Sequence, residues 1–311
     1  MRLRNKILNS QLPVVVYEII PPRIVDGTIE SYSEKISSLL SQTHIDAINI
    51  PEIHAEESRG KRPVGDRVRA EPREFGRLIQ ESVGIEAIVN RVCVHGGFEQ
   101  QEEWFRSTLD EFGIENFVIV GGESSEINYP GPNVIESAKM LREITLEDKT
   151  EIFLGGICLP SRKNESERML RKSQNGVEFF TTQVIYDSED VSKMIGHYER
   201  ACENSGVSPK RILLSFAPIS TKKNLDFLKW LGVEIPEPTE KYIFEEPGEI
   251  NNRSIEVSTK ILDEIIQHIN EHEIMVPIGL NIEHIMTYNF QHSVDLLQKM
   301  SMKYRKFCLN G

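Results

Sequence analysis

Several polar side chains stand at the ends of short apolar runs, where they could act on a bound molecule. The first is Glu18, which lies inside VVVYEII with apolar residues on both sides. A carboxylate in such surroundings is costly to ionise, so its pKa should rise, which suits a general acid. The residues equally allow a second interpretation, in which Glu18 forms an internal salt bridge to an arginine of another strand, such as Arg91.

Two other short segments could contact a ligand. Gln183 ends the run FFTTQ, and its amide can both donate and accept, as recognition of a ligand edge with mixed donors and acceptors requires. A glutamine that satisfies backbone groups inside a barrel would look the same. Gly121 and Gly122 let the backbone approach a ligand and expose amide N–H groups, although a tight turn also explains them.

The motifs of several other chemistries are missing. The four cysteines form no C-x-x-C pair, and no His, Cys or Asp cluster has ligand spacing, so no catalytic metal is expected. Neither a G-x-S-x-G elbow nor a G-x-x-x-x-G-K-[ST] loop occurs. The cysteine pattern is typical of a reducing compartment, and we expect a cytoplasmic protein.

The composition narrows the range of partners. The chain has 311 residues, 39% hydrophobic and 27% charged, with a formal net charge of −12. Such an acidic surface disfavours nucleic acid and anionic membrane surfaces as partners, but a basic pocket for a small ligand can lie within it. The longest apolar runs fall well short of the ~20 residues that span a bilayer. The sequence leaves the oligomeric state open, a homo-oligomer included.

The elements that must position these residues alternate along the chain. Eight β-rich runs are each followed by an amphipathic segment, and eight such units in one chain of this length are typical of a barrel. The absence of G-x-G-x-x-G after the first strand disfavours an open dinucleotide-binding sheet. We therefore predict the α/β class and a single (β/α)8 TIM barrel over residues 1–311, with a surface excursion at about 234–252. The predicted strands are 13–20, 45–50, 86–94, 115–123, 150–159, 177–187, 210–219 and 274–285.

Four segments, in the same order along the chain, resemble the methylenetetrahydrofolate reductase family. YEIIPPR (17–23) is similar to the family's E-F-F-P-P-R, and NFVIVGGE (116–123) to its fourth-strand L-R-G-D turn. RKSQNGVEFFTTQVIYD (171–187) resembles K-x-x-x-G-A-x-F-x-x-T-Q-x-x-x-D and is the most specific match. SFAPISTKKNLDFLKWLGVEIPE (215–237) resembles the stretch after the seventh strand. The last quarter of the chain matches in outline.

The resemblance implies reduction of 5,10-methylenetetrahydrofolate to 5-methyltetrahydrofolate, with electrons from NAD(P)H passing through FAD. Glu18 would protonate N10 of the folate, and Gln183 would hold the pterin. Phe227 or Trp230 would stack on the folate rings. Glu123 would stand where the family has an aspartate near flavin and pterin.

The flavin side of the pattern departs from the family. Gly121 replaces the fourth-strand arginine, and Asn90 begins NRVC where the family has H-L-T-C. The candidates for cofactor binding are Gly121, Gly122, Asn90, Arg171 and Lys172, the last two where the family has basic residues near the FAD phosphates. The folate-binding positions match the family pattern better than the flavin-binding ones. Asn49, at the end of the second strand, is a further candidate for binding the folate.

These departures leave two interpretations of the cofactor. Either FAD binds in a modified way, or hydride passes directly from a nicotinamide to the folate. In the second case Glu52, in the loop after the second strand, could supply an extra carboxylate beside Glu18. A non-catalytic folate-binding subunit and a pterin-dependent methyltransferase are the alternative functions.

Overall fold

The computed structural model describes residues 1–41, 43–53, 63, 68–122, 127–285 and 290–310, apart from the side chain of residue 310. Parallel strands in these ranges form a closed barrel in the order β1 to β8, with β8 pairing with β1. This confirms the predicted (β/α)8 TIM barrel. The strands are β1 (Val15–Ile19), β2 (Ala47–Ile50), β3 (Glu86–Val92), β4 (Asn116–Val120), β5 (Phe153–Cys158), β6 (Phe179–Thr182), β7 (Arg211–Phe216) and β8 (Ile278–His284).

Helices follow the strands and cover the outside of the barrel. Local sequence fixes several of their ends: Asn133 accepts the N–H groups of Ile135 and Glu136 at one start, and Gly84 and Gly113 end two helices at positive φ. The helices are α1 (Leu3–Leu8), α2 (Ile29–Leu40), α3 (Pro72–Val83), α4 (Phe98–Phe112), α5 (Val134–Asp148), α6 (Glu165–Gln174), α7 (Ser188–Asn204), α8 (Lys222–Trp230), α9 (Glu237–Phe244), α10 (Ile250–Glu271) and α11 (Phe290–Asn310).

The excursion expected at about 234–252 contains regular structure. It holds α9, a 3-10 turn at Pro247–Glu249 and the first residues of α10. Ile243 of α9 is fully buried in an apolar cluster with Leu228 of α8 and Val233. The excursion is thus packed against α8.

Alternation along the strands divides their side chains between two environments. Val16 of β1 and Ile88 of β3 belong to the interior cluster, whereas Val15 and Val89 belong to the cluster beneath the helices. The short helix α1, which the sequence pattern did not reveal, adds Leu3 and Ile7 to the interior cluster. The barrel interior toward the amino ends of the strands is therefore a packed apolar core.

Gly155 of β5 is required by this packing. A Cβ at this position would stand 2.4 Å from the ring of Phe179, and Phe179 is stacked on Phe153 with ring centroids 5.1 Å apart. We expect Gly155→Ala to lower the free energy of unfolding by about 1–3 kcal/mol through overpacking. Gly248→Ala is the control, because a Cβ there meets nothing within 4 Å. Urea unfolding of both variants tests this, and equal stabilities would contradict it.

Candidate active site

A layer of polar side chains lies above the apolar interior, at the carboxyl ends of the strands. Glu18 is two residues beyond the interior residue Val16 on β1, so alternation directs it inward. On the neighbouring strands Asn49 is the register partner of Glu18 from β2, and Glu283 its partner from β8. In TIM barrels this end of the strands carries the active site.

Glu18 is held by amide groups. The Nδ2 of Asn49 donates to its Oε2 at 2.6 Å, and the Nδ2 of Asn281 approaches the same oxygen at 3.3 Å. Burial raises the pKa of Glu18 to about 7, and the hydrogen bonds from Asn281 and Asn49 offset part of that rise. Glu18 therefore keeps its proton to a higher pH than an ordinary carboxyl group, as suits a general acid.

The alternative salt bridge between Glu18 and Arg91 does not form. Arg91 follows the inward-facing Asn90, so it points outward, where its guanidinium lies 4.5 Å from the ring centroid of Trp104. There it pairs with Glu52. Among the described residues, no arginine or lysine forms an ion pair with Glu18.

Glu52 occupies a different place from the one expected. Its carboxylate pairs with Arg91 and accepts the backbone N–H of Val92 at 2.8 Å, which ties the loop after β2 to β3. The carboxylate that adjoins Glu18 comes instead from β8. Burial and the nearby charge of Glu18 raise the pKa of Glu283 well above its usual range.

Three amide oxygens in the barrel receive no hydrogen bond from the described part of the chain. The Oδ1 atoms of Asn49, Asn90 and Asn281 are buried, and no described residue donates a hydrogen bond to them. The three side chains are 2%, 7% and 1% exposed, respectively. Buried acceptors normally find a partner, so this layer suits a molecule that presents several N–H donors.

The residues expected to contact the substrate rings lie around α8. The Nε2 of Gln183 donates to the backbone oxygen of Leu231 at 2.7 Å. Phe227 and Trp230 are stacked on each other, with centroids 5.9 Å apart and planes at 13°. Phe227 is 5% exposed and belongs to a buried cluster. Trp230 is more exposed and lines a cavity, so of the two it is better placed to meet a ligand.

That cavity, of about 560 Å³, opens at the ends of β4 and β5, across the barrel from β1. Gly121 and Gly122 form part of its wall. A Cβ at Gly122 would stand 2.2 Å from the ring of Tyr129, so that ring covers one side of this glycine. Glu123 lies outside the described residues. The lining is Val94, Ile119, Val120, Gly121, Gly122, Asn133, Val134, Ile135, Ile157, Leu159, Arg162, Arg168, Arg171, Lys172, Trp230 and Leu231.

Four cations give this cavity a positive wall. Arg162 pairs with the buried Glu165 at 2.7 Å, and Lys172 donates to the backbone oxygen of Ile157 at 2.6 Å. Burial lowers the pKa of Lys172, with partial compensation from Glu165. Arg168 and Arg171 are exposed, and no described carboxylate pairs with them. These four cations outnumber the one carboxylate, Glu165, that pairs with them, so the cavity wall fits a phosphorylated ligand.

No group of three or more His, Cys, Asp or Glu side chains within the described ranges is arranged to hold a metal ion. None of the described helices has the length and apolar character needed to cross a membrane.

A (β/α)8 barrel with a partly buried acid at the carboxyl ends of its strands places the protein in the TIM-barrel fold class, whose characterised enzymes carry their active sites at this end. The family model for methylenetetrahydrofolate reductase matches residues 3–300, and the chain belongs to that family. The sequence resemblance is thereby confirmed.

One solved structure supports the fold. An uncharacterised protein from Clostridium thermocellum that binds two copies of 5-methyl-5,6,7,8-tetrahydrofolic acid is 24% identical, with a TM-score of 0.78 over 96% of this chain and 99% of that one. A 2,3-dimethylmalate lyase is 12% identical, with a TM-score of 0.45 over 98% and 96% of the two chains. Among curated proteins, none is significantly similar to the chain.

Proposed function

We propose that the protein reduces 5,10-methylenetetrahydrofolate to 5-methyltetrahydrofolate with electrons from NAD(P)H. Its membership of the family and the placement of Glu18 support this assignment. The observation that carries it is an acid in the barrel mouth that no described cation neutralises, with a pKa near 7. The four cysteines are free thiols, in keeping with work in the cytosol.

Glu18 supplies the proton. Transfer of its proton to N10 of the folate allows the bond between N10 and the methylene carbon to break, with the electron pair remaining on nitrogen. The methylene carbon, now part of an iminium group with N5, accepts hydride and becomes the methyl group. One proton and one hydride are consumed, and Glu18 must regain a proton before the next cycle.

The buried amide oxygens recognise the pterin. The ring presents N–H donors on its amino and ring nitrogens, and the oxygens of Asn49, Asn90 and Asn281 are acceptors without donors. Trp230 would stack on the folate rings, and Gln183 would contact the pterin. The C. thermocellum relative binds the product of the proposed reaction, which supports a folate in this barrel.

The cationic cavity fits the diphosphate of a dinucleotide. Arg168, Arg171 and Lys172 would hold its phosphates, and Gly121 would lie against it. Such a diphosphate occurs in FAD and in NAD(P)H alike, and either group would supply the hydride when bound. The cavity lies across the barrel from Glu18, so proton donor and hydride source would approach the folate from different sides.

The experiment is anaerobic assay of the purified protein with NADH or NADPH and methylenetetrahydrofolate, with chromatographic measurement of 5-methyltetrahydrofolate. A visible spectrum before and after denaturation tells whether flavin is bound. Product formation by a yellow protein supports the FAD route, and by a colourless one direct transfer. Tight folate binding without turnover, with and without added FAD, would overturn the proposal in favour of a binding subunit.

The cavity cations are tested by Arg168→Gln and Arg171→Gln. Each variant is expected to weaken dinucleotide binding about tenfold, because each removes a charge worth roughly 1.4 kcal/mol to a phosphate. Titration calorimetry with FAD and with NADPH measures the affinities. Arg142→Gln is the matched control, since Arg142 is exposed on α5 and does not line the cavity. Equal affinities in all three variants would place the dinucleotide elsewhere.

A further inference from the structure

Glu18 and Glu283 face each other across the seam at which β8 closes the barrel onto β1. They are direct register partners in parallel strands, and neighbouring strands lie only about 4.7–4.9 Å apart. The Nδ2 of Asn281 is 3.3 Å from an oxygen of each carboxyl group, so those two oxygens lie within twice that distance of one another.

The amide that bridges them has too few hydrogens for its neighbours. Asn281 Nδ2 carries two N–H groups but has three oxygen neighbours, the third being the hydroxyl of Ser215 at 3.0 Å. The amide therefore cannot donate a full hydrogen bond to all three oxygens. A proton on one of the two carboxyl groups would relieve the repulsion between them.

Among the described residues, the groups that contact the two carboxyl groups are neutral. Ser215 from β7 and Asn281 bond to Glu283, and Tyr186 beyond β6 lies near enough for the charge of Glu283 to raise its pKa. The Tyr186 hydroxyl donates to the Ala217 oxygen at 2.5 Å.

The titratable neighbours on the outer face of these strands are turned away. His284 packs edge-on against Phe290 at 5.1 Å between centroids, and the Tyr17 hydroxyl bonds to Ser293 at 2.5 Å. Of the described residues, none that faces the two carboxyl groups is cationic. Repulsion between two ionised carboxylates here would be opposed only by neutral groups.

We propose that Glu283 is a second acid group of this site, paired with Glu18 so that the two carboxyl groups share a proton at neutral pH. As an account of catalysis, this inference rests on the proposed reductase function. Such a pair loses its protons in two separated steps, because the negative charge left by the first opposes departure of the second. Glu283 acts through Glu18: because either carboxyl group can hold the shared proton, a proton stays at the site for transfer to N10 at a pH where an isolated carboxyl group would have lost it.

The pair is tested directly in the ligand-free full chain by infrared titration of the carbonyl band of protonated carboxyl groups. In the wild-type protein one carboxyl group is expected to stay protonated to neutral pH or above. The two carboxyl groups should therefore lose their protons in two separate steps. Glu283→Gln should leave one step, moved to lower pH. Glu18→Gln should likewise leave a single step, that of Glu283, at lower pH. The control Glu111→Gln, at an exposed residue, should change neither step. A wild-type titration equal to the sum of the two single variants would overturn the pairing.

The consequence for turnover is tested by the pH profile of kcat/KM. In Glu283→Gln the alkaline limb is expected to move toward lower pH by about one unit or more, which at alkaline pH is a loss of at least about tenfold. Glu283→Asp keeps the charge and should restore much of the limb, also serving where the glutamine variant fails to fold. An unmoved limb in a folded Glu283→Gln would overturn the role of Glu283.

The two measurements separate this inference from the proposed function. A two-step titration in a protein that reduces no folate would remove the reductase assignment and keep the pair. Folate reduction by a protein with independent carboxyl titrations would do the reverse.

Discussion

Replacing Glu18 by glutamine is expected to lower kcat for folate reduction by about 10²–10⁴-fold, the usual contribution of a positioned general acid. Glutamine keeps the size and polarity of the side chain, so Asn49 and Asn281 still have an oxygen to bond. The variant lacks a transferable proton, and the N10 bond therefore breaks slowly. Affinity for 5-methyltetrahydrofolate, measured by calorimetry, should change much less than kcat.

The pH dependence of kcat/KM in the wild-type protein is a second test of Glu18 as the proton donor. The pKa of Glu18 is raised, to about 7, so its acid form persists below that pH and is lost as the pH rises through it. Wild-type kcat/KM should fall across this range, and the residual activity of Glu18→Gln should lack the fall. A variant with normal kcat and a raised KM would show that Glu18 binds the folate and is not its proton donor.

Much of the fold could be predicted because the strands are local signals. Near-continuous apolar runs such as the one in β1 predict parallel strands covered on both sides, and eight of them in regular alternation with helices indicate a barrel. The helix α1 gave no such signal. It has six residues, and its two buried side chains, Leu3 and Ile7, find their partners on strands far along the chain.

The site was predictable where one residue carried the information. Glu18 is a charge within an apolar strand, so its chemistry can be inferred from its neighbours in sequence. Glu283 is equally an inward-facing residue of a strand, in GLNIEHI, but its importance comes from the register of β8 on β1. That register exists only once the barrel has closed.

Strand alternation explains two further outcomes. Asn90 and Arg91 are adjacent on β3, so they face opposite sides, and this excludes Arg91 from the interior. Glu52 then pairs with Arg91 outside the barrel lumen. Counting alternate residues from the apolar interior position Ile88 would have excluded the Glu18–Arg91 salt bridge from sequence alone.

The largest expected loss of stability follows from Arg211, a buried cation at the base of the barrel. It is 3% exposed, and its Nε and Nη2 donate to the backbone oxygens of Ile7 and Asn9 at 3.0 and 2.6 Å. A further nitrogen donates to the Ile278 oxygen. Burial lowers the pKa of Arg211, so carbonyl dipoles at the end of α1 must compensate its charge. Arg211 thus fastens α1 to the base of β7 and β8.

Arg211→Met keeps much of the aliphatic volume but leaves the Ile7 and Asn9 oxygens without this donor. Because hydrogen bonds from charged groups contribute about 1.5–3 kcal/mol each and are not additive, we expect the free energy of unfolding to fall by about 3 kcal/mol or more. Arg305→Met is the matched control, since Arg305 is one-third exposed and bonds to the His44 oxygen at 2.8 Å. It should cost about 1 kcal/mol or less.

Urea unfolding measures both costs, and hydrogen exchange locates the change. In Arg211→Met the amides of α1 should exchange faster relative to those of the central strands, because the helix has lost its attachment while the barrel remains closed. Equal losses in the two variants, or unchanged protection of α1, would show that Leu3 and Ile7 hold the helix by apolar contact alone. The base of the barrel would then owe its closure to packing and not to the buried guanidinium.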